Sequence, residues 1–182
     1  LLALGLVAST NVFALDISGT NVPDKATLEG TELSLNGAGM RTKFMFKVYV
    51  AALYTAAKKT SADEVLADAG AKRMQLFIRR ELSAEQLLEA LNEGLKANNT
   101  AAELAPLDAR MKEFDNILTS VGKASPGNII ALDYLPGTGT RVQLNGQSKG
   151  TIAGEDFNKA LLKIWLGPEA VQSSLKKALL GN

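Results

Sequence analysis

Two arginines stand in settings where a charged side chain could do chemistry. Arg41 follows a glycine-containing corner, Asn36-Gly37-Ala38-Gly39, and precedes a long β-prone run that reaches Tyr54. Arg80 ends the alternating segment from Lys72 to Glu81, where it shares parity with Met74, Leu76 and Ile78. An arginine on the apolar side of a strand either snorkels to the rim or lines a cleft. The chain has no histidine and no cysteine. That removes the usual neutral-pH general base, the commonest zinc ligand, thiolate nucleophiles and disulfides. No metal site and no cofactor is expected, and any chemistry falls to Arg, Lys, Tyr, Thr, Asp, Glu or the backbone. The segment Gly137-Thr138-Gly139-Thr140 is like a phosphate loop only superficially, since it lacks the strand, loop and helix context and the lysine.

These residues need elements to hold them. Phe44, Phe46, Val48, Tyr49, Val50, Leu53 and Tyr54 fit a pleated, packed surface and read as a central strand. With Leu28, Leu33 and Leu35 before it, the run predicts a β-hairpin from about residue 26 to 54 that turns at Asn36 to Gly39. Lys43 and Lys47 alternate with Met45 and fall on a solvated side of the strand. Leu15 to Ala26 reads as a lead-in, with a turn or an extended entry at Asn21 to Asp24.

Capping boxes at Ser61/Glu64, Ser83/Gln86 and Thr100/Glu103 predict three helices, the first running to Gly70. The second carries the stripe Leu87, Leu88, Leu91, Leu95, and the third the stripe Leu104, Leu107, Met111, Phe114, Leu118, restarting at Pro106. Ile129 to Leu135, Thr140 to Leu144 and Gln147 to Ile152 form a meander across tight turns. Glu155 to Leu166 is an amphipathic helix closed by Gly167, and Pro168 opens a last helix with Val171, Leu175 and Leu179 inward. This order predicts an α+β fold, a mostly antiparallel β-sheet covered on one face by a layer of helices, in a single domain over residues 15–182.

The composition, 46% apolar and 21% charged with a formal net charge of +1, is that of an ordinary globular protein and implies no nucleic-acid partner. Residues 1–14 are apolar and end in Val12-Phe13-Ala14, a loose match to a signal-peptidase site. They read as the back half of a secretory signal peptide, so the mature chain is expected to be secreted, and periplasmic if the source is Gram-negative. The run is shorter than the ~20 residues a spanning helix needs, and no membrane span is expected in the mature chain.

Taken together, GAGMR followed by KVYVAALY, a strand and a Ser-capped helix, ALDYLPGTGTRVQLNG, and GEDFNKALLKIWLG with a closing helix resemble the chalcone isomerase family, in its bacterial exported branch. The resemblance covers nearly all of the mature chain. It implies an antiparallel sheet carrying a layer of helices, with a ligand cleft between them. Family members are either plant enzymes that cyclise chalcones to flavanones or non-catalytic relatives that bind fatty acids. Arg41 matches the arginine that meets the substrate's developing anion in the enzymes and the carboxylate in the binders. A guanidinium suits both, because it stays charged and donates two parallel hydrogen bonds.

Tyr49 stands where the enzymes carry a threonine and the fatty-acid binders a tyrosine. Leu87 and Gly94 align with an enzyme tyrosine and asparagine, and neither side chain can donate a hydrogen bond. Cyclisation needs such donors to stabilise an enolate-like charge. The resemblance therefore implies a non-catalytic binder with no catalytic residues, holding a small acidic amphiphile such as a fatty acid through Arg41 and Tyr49. The alternatives are a chalcone isomerase-type lyase, with Arg41 polarising the substrate and Tyr49 or Tyr54 donating, and an envelope interaction protein with a vestigial cleft. Arg41 and Tyr49 would lie about 26 Å apart on one straight strand, so they share a head group only if the strand bends or the corner reaches further.

Overall fold

The computed structural model describes residues 14–182 and contains nine strands and six α-helices over that range. The expected signal segment lies outside the described residues except for Ala14, which begins β1. Strands β1 (Ala14–Ile17) and β2 (Thr20–Pro23) form a small hairpin of their own. Strands β3 (Lys25–Leu28), β4 (Thr31–Lys43), β5 (Phe46–Thr55), β6 (Lys72–Ile78), β7 (Ile129–Leu135), β8 (Gly139–Leu144) and β9 (Gln147–Ile152) build one antiparallel, curled sheet in unbroken sequence order. The expected α+β architecture is thus the observed one.

Helices α1 (Ala62–Ala67), α2 (Ala84–Asn98), α3 (Ala101–Leu104), α4 (Asp108–Val121), α5 (Glu155–Leu166) and α6 (Ser173–Leu179) account for the rest of the regular structure. All three predicted capping boxes are formed. Pro106 sits in a short 3-10 turn between α3 and α4, where its missing N–H costs nothing. Helices α2, α4 and α5 pack on one another and over the sheet, burying Leu95, Phe114, Leu161 and Trp165 against Leu53, Met74 and Leu132. A second cluster lies on the opposite face, where Val22 of β2 covers Leu33, Val50 and Tyr54. Tyr54 donates its hydroxyl to the Pro23 carbonyl at 2.8 Å, so it belongs to that face and cannot serve a cleft under the helices.

The hairpin of β4 and β5 departs from its predicted form. Asn36 to Gly39 is not a corner but the middle of β4, with Gly37 paired to Leu53 and Gly39 to Ala51. The glycines are there because α6 crosses the strand. A Cβ on Gly37 would come within 2.1 Å of the Ala178 carbonyl oxygen, and one on Gly39 within 2.8 Å of the Ala178 Cβ. Asn36 is a bulge in the ladder whose side chain donates to the Leu179 carbonyl at 2.8 Å and accepts from the Lys59 N–H at 2.7 Å. The extra residue changes which parity faces the helices. Leu33 and Leu35 join the far cluster, whereas Gly37, Gly39 and Arg41 turn toward the helical side.

The true turn is Phe44-Met45, both at positive φ (49° and 65°). Left-handed backbone at residues of this kind costs about 1–2 kcal/mol each. Phe44 and Phe46 were expected in a packed surface, but both are exposed. Three smaller differences have local causes. Helix α1 stops at Ala67, because the Asp68 carboxylate turns to accept from the Gly70 N–H. The last helix begins at Ser173 rather than at Pro168. The lead-in is the β1–β2 hairpin, held by its apolar face.

Candidate functional site

The meeting of Arg41 and Tyr49 follows directly from where the turn falls. Because the chain reverses at Phe44-Met45, the two residues are cross-strand partners, with Cα atoms about 5 Å apart. A second bulge lies beside them, between the Arg41/Tyr49 and Thr42/Lys47 pairs, and leaves Val48 unpaired in that ladder. The Val48 carbonyl instead accepts from both the Arg79 and Arg80 N–H groups, at 2.9 and 3.1 Å. Bulges of this kind re-aim side chains at sites.

Arg41 and Tyr49 stand at one end of a cavity of about 420 Å³ between the sheet and helices α2, α4 and α5. Leu76, Ile130 and Leu132 of the sheet form its floor, and Leu87, Leu118 and Ile164 of the helices its roof. Size and lining are those of a small-molecule site with an apolar body and a few fixed polar groups.

The polar end is organised by two residues the sequence reading did not single out. Gln172, just before α6, uses its side-chain NH2 to donate to the Met40 carbonyl at 3.0 Å and its oxygen to accept from the Thr42 N–H at 2.9 Å. The same oxygen accepts from Arg41 Nη1 at 3.3 Å, and Nη1 also donates to the Thr42 carbonyl at 2.6 Å. Those bonds orient a half-buried guanidinium without neutralising it. Among the described residues no carboxylate lies within ion-pair distance of Arg41.

Trp165, in α5, donates its indole N–H to the Tyr49 hydroxyl at 3.0 Å. Burial pushes the Tyr49 phenol above its ordinary pKa, and the Trp165 hydrogen bond and the Arg41 charge offset only part of that rise. Tyr49 is therefore neutral at pH 7, accepts from the indole, and keeps its own proton to donate.

Other expected site residues fall as follows. Leu87 is buried in the cavity wall. Gly94 lies outside the lining, at the contact of α2 with α5, where an added Cβ would meet Ile164 at 2.8 Å. Arg80 lines the cavity and is also at its rim, exposed, with its guanidinium 3.8 Å from the centroid of the Phe46 ring. Arg80 does not continue the alternation of Met74, Leu76 and Ile78, because β6 ends at Ile78. Lys43 lines the mouth while Lys47 points away from the cavity.

Comparison with known proteins gives the same architecture. No curated protein is significantly similar to this chain. Among solved structures, a fatty-acid binding protein of Arabidopsis thaliana superposes with a TM-score of 0.67 at 16% sequence identity, over 92% of this chain and 96% of that one. A family profile described as chalcone isomerase-like matches residues 14–181. The chain, matched across nearly its whole length and folded as that family folds, belongs to the chalcone isomerase-like family.

Proposed function

We propose that this protein is a non-catalytic binder of a small acidic amphiphile, a fatty acid being the chemistry that fits best. The observation that carries the reading is the pairing of Arg41 with Tyr49 at the polar end of an apolar cavity, where the arginine has no carboxylate partner among the described residues. A carboxylate would accept from the guanidinium and from the Tyr49 hydroxyl while its chain lay against Leu76, Leu87 and Ile164. The plant fatty-acid binding protein of the same fold supports this choice of ligand. Enolate chemistry is disfavoured, because Leu87 and Gly94 place no donor in the cavity and there is no histidine to move a proton.

Calorimetric titration with dodecanoate is the test. Arg41→Ala is expected to weaken binding tenfold to about a hundredfold while moving the melting temperature by less than about 2 °C. A large loss of stability with no dodecanoate binding by the native protein would assign Arg41 to the fold instead. A hydroxylated chalcone should cyclise no faster with the protein than in buffer, and a clear acceleration would restore the enzyme reading.

Export belongs to the same proposal. The apolar run of residues 1–14 supports delivery outside the cytoplasm, and a mature N-terminus at Leu15 in protein recovered from the envelope would establish it. Among the described residues no helix is long and apolar enough to cross a membrane.

A further inference from the structure

Among the described residues, three of the four large exposed apolar side chains cluster at one place. Phe44 is 84% exposed, Met45 98% and Phe46 54%, and all three sit at the tip of the β4–β5 hairpin. Neither hydrophobic cluster includes them, so they contribute nothing to the core. The turn they form is also one that local preference opposes. Two-residue hairpin turns with both central residues at positive φ are normally built from asparagine, aspartate and glycine, and here they are a phenylalanine and a methionine. A segment that sacrifices both solubility and backbone comfort is under a demand other than folding.

Three cations surround the tip. The Lys43 ammonium stands 6.0 Å from the Phe44 ring centroid, and the Arg80 guanidinium lies over Phe46. Lys47, exposed, pairs with Thr42 on the other face of the same hairpin end. None of the three has a carboxylate within ion-pair distance among the described residues. Of the acidic residues that line the cavity, Glu89 and Glu93 are on α2, while Glu81, next to Arg80, is paired with Lys123 at 3.0 Å. The hairpin tip is therefore apolar with unmatched positive charge, and α2 contributes the unmatched acidic residues of the lining. Phe44 and Phe46 also line the cavity itself, so the exposed apolar surface runs without a break into the binding site.

We propose that the β4–β5 hairpin tip is a membrane-docking element, inserting Phe44 and Met45 into the interfacial layer of an anionic lipid surface while Lys43, Lys47 and Arg80 contact the headgroups. Large apolar side chains set beside cations are the combination by which a soluble domain lies on such a surface. Docking by this tip brings the mouth of the cavity to the lipid, so that an amphiphile passes between bilayer and site along an apolar path. The proposal rests on the fatty-acid reading for its purpose, and the experiment separates the two.

The experiment is cosedimentation of the protein with vesicles of phosphatidylcholine mixed with phosphatidylglycerol, and with vesicles of phosphatidylcholine alone, run beside dodecanoate titration. The native protein is expected to sediment with the mixed vesicles, less with the neutral ones, and less with both as salt rises. Met45→Asn is the discriminating variant. Asparagine tolerates positive φ, so the fold keeps or gains stability, and Met45 lies outside the cavity lining, so dodecanoate binding stays as in the native protein. Vesicle binding should fall about tenfold. Lys47→Glu should lower binding to the mixed vesicles about fivefold or more and leave dodecanoate binding intact.

Arg41→Ala is expected to do the reverse, losing dodecanoate and keeping the vesicles. No vesicle binding by the native protein, or binding unchanged in both tip variants, would overturn the proposal. Self-association without lipid that Met45→Asn abolishes would also overturn it, by assigning the tip to a second copy of the chain. Vesicle binding with no dodecanoate binding would leave the docking element standing and remove the fatty-acid reading.

Discussion

Opposite faces of one sheet carry two arginine sites with opposite outcomes. On the face away from the main helices, Arg73, Asp133 and Arg141 are cross-strand neighbours on β6, β7 and β8. Asp133 is fully buried and takes a bidentate grip from Arg73 at 2.6 and 2.8 Å, with Arg141 Nη2 at 3.4 Å. Glu29 closes the group by pairing with Arg141. On the helical face Arg41 has comparable shelter but only neutral acceptors, the Gln172 side chain and the Thr42 carbonyl. A guanidinium whose charge is matched by carboxylates serves the fold, whereas one held in place by neutral groups is left able to bind an anion.

The comparison can be broken at several points. The largest effect is expected from Asp133→Ala, which strands two part-buried arginines. It should cost about 3–5 kcal/mol, or roughly 6–20 °C in melting temperature for a domain of this size, with dodecanoate affinity unchanged below the transition. A shift as small as that foreseen for Arg41→Ala would erase the distinction between the two sites. Next comes Tyr49→Phe, which leaves the buried Trp165 N–H without its acceptor and removes a donor from the cavity. Stability should fall by about 1–3 kcal/mol and dodecanoate affinity by up to about tenfold. If affinity is untouched, Tyr49 only props Trp165 and Arg41 works alone.

The smallest effect concerns the far face and appears only in alkali. Burial pushes the Tyr54 phenol up to about 12, from an ordinary value near 10. Between those values the unfolded chain releases the proton and the folded chain retains it, so stability declines as pH rises from about 10 to 12. Thermal melts across that range should show a shallower decline in Tyr54→Phe. An equal slope would mean that Tyr54 ionises in the folded state as it does in the unfolded chain.

The parts of this molecule governed by local rules were legible in the sequence. The three capping boxes, the restart at Pro106 and the β7–β9 meander all follow from residues within a few positions of one another. The β4–β5 hairpin does not turn at its glycines, because those glycines answer to a distant partner. Gly37 and Gly39 make room for α6 near the C-terminus, and the turn lies instead at Phe44-Met45, against ordinary turn chemistry.

The same limit applies to the site. Arg41 and Tyr49 could be named from their resemblance to a family, but their meeting depended on a turn placed elsewhere and on a bulge that no periodic pattern announces. Gln172 and Trp165 gave weaker signals still. An indole within a helical stripe does not show where its N–H will point, and a glutamine ahead of a helix does not show which strand it will clasp.

The contact between Trp165 and Tyr49 also has a spectroscopic meaning. This is the only tryptophan in the chain, so all indole emission comes from the roof of the cavity, one hydrogen bond away from the proposed head-group site. Its two partners come from strand β5 and helix α5, 116 residues apart, and meet only when sheet and helices have docked. A single fluorophore that nature placed there thus reads both whether the chain has closed and whether the hydroxyl beside it has found something to bind.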